Sequence, residues 1–237
     1  MRALWIGPGA ARALCAGESG TVEVVLARGG YVRLGDRWLL LTPPRAPLGP
    51  LSVLVEGLGV LALGAPAHVA VGGLHVGRVR IDLAGARVPP RAEVVPLHGG
   101  WRSALAAARS SCPAPGGLED GVDELRRGSL ADAVATLAGR GPGLTPAGDD
   151  VLAGFAGWRH AAGEPVSLAS PRGSPIGLAY LDCAERGELP EAAQRTLEAV
   201  RAGDAALAGR RARGLAQWGE TSGGAMLCGM AAASGAT

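Results

Sequence analysis

Apolar positions in the first hundred residues recur with a period of two, in short runs cut by glycine and proline. Thr21 to Leu26, Tyr31 to Leu34, Trp38 to Thr42, Leu51 to Val55 and Val60 to Leu63 read as strands, and Val69 with Val71 marks another. Gly35-Asp36 between two such runs predicts a tight hairpin. The cleanest alternation is Arg78 to Leu83, which puts Val79, Ile81 and Leu83 on one face and charges on the other. Strands this short and evenly spaced predict a curled sheet or small barrel.

After Gly100 the period changes to that of helices. Trp101 to Ser110, Leu118 to Arg127, a segment ending at Leu137, Pro146 to Ala162, Ile176 to Arg186, Pro190 to Arg201, Asp204 to Arg213 and Thr221 to Ala233 all read as helical. Ser129 and Asp132 have the spacing of a capping box, with Asp in place of the usual Glu, and Gly139 is placed to stop that helix. The expected fold is α+β: a β-rich domain over residues 1–100 and an α-helical domain over residues 101–237.

Composition narrows the chemistry. The chain has 48% hydrophobic and 19% charged residues, enough to fill a core, and 3% aromatics, so that core is aliphatic. It contains no Lys and no Asn. Schiff-base chemistry and the lysine-bearing phosphate loop are thereby excluded. A net charge of +2 is too mild for a nucleic-acid or anionic-membrane surface, and the dense group Arg210, Arg211 and Arg213 suits a solvated helix end. Gly57 to Gly77 carries no formal charge over nearly a membrane-spanning length, but its glycines and Pro66 argue for strands instead. Four scattered cysteines without a C-x-x-C pair read as reduced and apolar, and an interrupted N-terminus lacks a signal-peptide core. A cytoplasmic protein is expected. His68, His75, His98 and His160 are scattered, and Trp101, Trp158 and Trp218 read as core or interface.

The densest chemistry lies in Gly139-Arg140-Gly141-Pro142-Gly143-Leu144-Thr145-Pro146-Ala147-Gly148-Asp149-Asp150. Gly141 and Gly143 permit backbone shapes closed to other residues, Thr145 before Pro146 resembles an N-cap followed by proline at the first helical position, and Gly148 would leave first-turn amides open. Such a loop can hold phosphate or carboxylate, with Arg140 adding a forked contact. Asp149 and Asp150 fit a base, or a site for an amine or divalent cation; an ordinary acidic helix start is the other reading. Adjacent residues on a helix are turned about 100° apart, so the two carboxylates are expected to differ in role, one of them, Asp149 ahead of Asp150, touching the substrate or a metal and the other holding the loop through backbone hydrogen bonds. Thr221 and Ser222 are either further ligand donors or the cap of the last helix.

The run Gly141 to Gly154 resembles the signature of the AllH family, usually GPGLTPSGDD before an apolar helix, and Gly219-Glu220-Thr221-Ser222-Gly223 is similar to its later GHTSG segment. Glu220 stands where that family commonly has His. The resemblance implies a subunit of an oxamate carbamoyltransferase in allantoin and purine catabolism, which converts oxalurate and phosphate to oxamate and carbamoyl phosphate together with two other kinds of subunit. Carbamoyl transfer needs a base for the nitrogen, for which Asp149 and Asp150 are the candidates, and donors for phosphate and a developing oxyanion, for which Arg140, Gly141, Gly143, Thr145, Gly148, Thr221 and Ser222 are the candidates. The rival expectation is a non-catalytic partner that binds a small anionic metabolite or nucleotide and regulates or assembles a catabolic complex.

Overall fold

The computed structural model describes residues 1–89, 94–168 and 172–235. The chain divides into two compact units, Met1–Arg91 and Ala92–Thr237.

The first unit is a closed barrel. Its strands are β1 (Arg2–Ile6), β2 (Ser19–Leu26), β3 (Gly29–Leu34), β4 (Arg37–Thr42), β5 (Ser52–Glu56), β6 (Pro66–Ala70), β7 (Gly73–Val76) and β8 (Val79–Asp82). They run in the order β1-β5-β4-β3-β2-β6-β7-β8, and parallel pairing of Arg2 with Asp82 closes the ring. A barrel of eight strands is narrow enough for side chains to fill. Leu34, Leu39, Leu41, Val53, Leu74 and Ile81 fill this one, each fully buried. Helix α1 (Pro8–Ala13) adds Ala10 and Ala13 to the same core. The expected turn at Gly35-Asp36 joins β3 to β4, with Leu34 opposite Arg37 and Gly35 in the left-handed region at φ 58°.

Two expectations for this half fail. Val60 to Leu63 is not a strand: Val60 is 98% exposed and Leu63 71%, because the run follows the turn at Gly57 and has no paired neighbour. Strands β1 and β7 and helix α1 were not expected, since their sequences lack clean alternation.

The second unit is helical: α2 (Trp101–Ser111), α3 (Glu119–Arg126), α4 (Leu130–Leu137), α5 (Ala147–Ala161), α6 (Pro175–Glu185), α7 (Glu191–Arg201), α8 (Ala205–Leu215) and α9 (Ser222–Ala233). Helices α5 and α9 are apolar on nearly every side, the pattern of a helix surrounded by others. They cross at contact distance because both carry glycine at the crossing. A Cβ on Gly154 would lie 1.9 Å from the Met226 carbonyl oxygen, and one on Gly229 would lie 1.9 Å from that of Val151. One hydrophobic cluster joins this pair to α2, α7 and α8, and a second joins it to α3, α4 and α6.

Two helix starts differ from expectation. Helix α5 begins at Ala147 with Pro146 as its cap, so Thr145 is neither N-cap nor bonded to the first turn. Ser129 precedes α4 without a side-chain cap bond; its N–H donates instead to the Glu124 carbonyl, so the capping box does not form. Trp101 and Trp158 pack together with centroids 6.1 Å apart, and the guanidinium of buried Arg201 covers Trp158.

Candidate active site

The signature loop folds back over the first turn of α5. Gly139, at φ 73°, turns the chain out of α4, and the Arg140 N–H donates to the Leu137 carbonyl. The Arg140 carbonyl then accepts the N–H of Gly148 at 2.9 Å. This proximity requires glycine at 148, since a Cβ there would lie 1.9 Å from the Leu137 oxygen. The expectation that Gly148 opens free amides is therefore corrected: its N–H is used, and its missing side chain admits the preceding helix end. Gly141 (φ 114°) and Gly143 (φ 97°) lie in the exposed stretch, and among the described residues their N–H groups donate to no carbonyl.

The two carboxylates are buried, Asp149 at 2% exposure and Asp150 at 3%. Asp149 Oδ1 accepts the Gly139 N–H at 2.7 Å and so holds the loop. Its other oxygen has no hydrogen-bond partner and lies 2.3 Å from where a Cβ on Gly177 would stand, beside the start of α6. The loop-holding bond, expected of Asp150 ahead of Asp149, is on Asp149. Asp150 reaches across to α9, where its side chain is hydrogen-bonded to Ser222, and its Oδ2 is likewise without a partner.

Burial raises both carboxyls, because removing a carboxylate from water disfavours its charge. For Asp149 the Gly139 bond opposes the rise. Asp150 is pushed up to about 7, chiefly by burial and further by the charge of Asp149, against the Ser222 bond. A carboxyl at that value exchanges its proton near neutral pH. Among the described residues no group of three or more His, Cys, Asp or Glu could hold a metal. A divalent cation at the pair would take its other ligands from Ser222, the backbone or solvent.

The remaining expected residues separate into two sets. Ser222 is buried at the carboxylates, whereas Thr221 and Glu220 are exposed and Thr221 makes no side-chain cap bond. Arg140 is exposed, and its charge acts on Glu119 at the start of α3. Ser174 was missed. Its hydroxyl donates to the Leu144 carbonyl and accepts the Gly177 N–H at 2.9 Å, capping α6 and tethering the loop. Ser174-Pro175 is the same pre-helical pair as Thr145-Pro146, a signal present in the sequence.

These features define a helical protein unit with a buried Asp-Asp start on its central helix, preceded by a glycine loop. Residues 137–234, which contain the whole of this constellation, match the family model described as oxamate carbamoyltransferase subunit AllH. No curated protein and no solved structure matches the chain. No helix among the described residues is long and apolar enough to cross a membrane.

Proposed function

We propose that the chain is a subunit of an oxamate carbamoyltransferase-like enzyme, acting on a small carboxylated amide with phosphate in purine or allantoin catabolism. The observation that carries this reading is the coincidence of the family match with the Asp149–Asp150–Ser222 cluster. In the direction from oxalurate, phosphate attacks the carbamoyl carbon, the C–N bond to the oxamate nitrogen breaks, and that nitrogen needs a proton. The reverse reaction needs a base for the same nitrogen. Asp150 serves both, since its pKa of about 7 lets it hold or release the proton near neutral pH. Asp149 positions the loop. The free N–H groups of Gly141 and Gly143, with Arg140, meet the phosphate or the developing oxyanion.

The test is carbamoyl phosphate formation from oxalurate and phosphate by the chain assembled with its companion subunits. Asp150→Asn should melt no lower than wild type and lose about 100-fold or more of kcat. Titration of phosphate, carbamoyl phosphate and oxamate by calorimetry should weaken in Gly143→Val. Unchanged turnover in Asp150→Asn would overturn the assignment. Binding without turnover in the complete assembly would instead favour the non-catalytic, anion-binding partner.

A further inference from the structure

A cavity lies beside α9, on a sector of the helix turned away from Ser222 and the carboxylates. Ser222 and Cys228 are six residues apart on that helix, which at 100° per residue turns them to different sectors. Gly224 and Cys228 line a cavity of about 430 Å³ with Arg109, Cys112 and Pro113 from the end of α2 and the loop after it. The volume suits a small metabolite. Gly224 is needed at its wall, since a Cβ there would lie 2.0 Å from the Pro113 carbonyl oxygen.

Burial is the largest influence on the Cys228 thiol and pushes its pKa up; the positive charges of Arg109 and then Arg126 oppose that rise, and Glu119 adds to it. Arg126 is paired with Asp123 at 2.8 Å, but the Arg109 guanidinium has no partner among the described residues. Apart from Ser110, whose hydroxyl donates to the Ala106 carbonyl at 3.0 Å, the rest of the lining, including Ala106, Leu227 and Ala114, is apolar. A single unpaired guanidinium over an apolar floor fits a molecule with one anionic end and a hydrocarbon flank.

We infer that this cavity is a second ligand site, separate from the carboxylate cluster, that takes a small carboxylate bearing an apolar chain, with Arg109 holding its anionic end. The thiol of Cys228 reports occupancy from the wall, and exposed Cys15 in the barrel unit serves as an internal reference.

The experiment measures iodoacetamide alkylation of Cys228 and Cys15 in the intact chain by mass spectrometry, with butyrate, acetate or inorganic phosphate present. At about ten times its dissociation constant, butyrate should slow Cys228 about tenfold relative to Cys15, more than acetate or phosphate does. Arg109→Gln should abolish this protection with an unchanged melting curve, whereas Asp150→Asn should retain it. Calorimetric titration of butyrate into wild type and Arg109→Gln gives a second readout independent of thiol reactivity. Equal protection by all three anions, protection surviving Arg109→Gln, or protection and heat absent throughout would overturn the proposal. Loss of protection in Asp150→Asn would assign the effect to the carboxylate cluster instead.

Discussion

The Asp149 carboxylate accepts the backbone N–H of Gly139, ten positions earlier, at 2.7 Å. That bond fastens the exit of α4 to the first turn of α5 and gives one member of the acidic pair a structural role. Asp149→Ala should leave the Gly139 N–H unpaired and cost about 1–3 kcal/mol in urea denaturation, whereas Asp149→Asn, which retains an acceptor, should cost less.

Asp150 sets a pH dependence of opposite sign to that of a salt-bridged acid. Its folded pKa, about 7, lies above the ordinary carboxyl value, so the folded state binds the proton more tightly than the unfolded chain. Its stabilising contribution is fully present below about pH 4 and is lost as pH rises through 7. The loss should be on the order of 2–4 kcal/mol between pH 4 and pH 8. Melting temperatures across that range should fall less steeply in Asp150→Asn than in wild type, with the raised Asp149 leaving a residual slope.

The crossing of α5 and α9 should be intolerant of a single methyl group. Gly229→Ala places a carbon against the Val151 carbonyl, and the helices must separate, at about 3 kcal/mol or more. Gly143→Ala meets open space and carries only the strain of φ 97°, about 1 kcal/mol. Chemical denaturation followed by far-ultraviolet circular dichroism gives the comparison.

Ser174→Ala removes both the cap of α6 and the tether to Leu144. Stability should fall by about 0.5–2 kcal/mol, and limited proteolysis should cut faster within residues 141–144. An unchanged cleavage rate would mean that the tether does not restrain the loop.

The strand-rich front and helical back were legible because periodicity reports burial directly, as in β8, where Ile81 is buried between exposed Arg80 and Asp82. The same reasoning failed at Val60 to Leu63, where only Leu61 is buried and Val60 and Leu63 lie in solvent, because no strand pairs with the run. The acidic pair stood out by residue type alone. Its division of labour did not, because that depends on partners distant in sequence: Gly139 for one carboxylate and Ser222 for the other. Nor does local pattern reveal that Gly148 is needed for close packing with the end of α4, a reason that exists only once the loop has folded back.

Barrel closure has a consequence for the order in which this chain can mature. Arg2 pairs with Glu56 on one side and with Asp82 on the other, so β1 bridges segments synthesised long after it. Contacts between distant parts of a chain bear the full entropy of loop closure before they give any return. During synthesis β1 therefore waits, with both ladders unmade, until β5 and then β8 have emerged. Once the ring is shut no strand of it is an edge, and opening it at β1 means breaking two ladders together. Hydrogen exchange should accordingly find the β1 amides that are paired on either side protected as well as those of β3 and β4, even though they stand at the beginning of the chain.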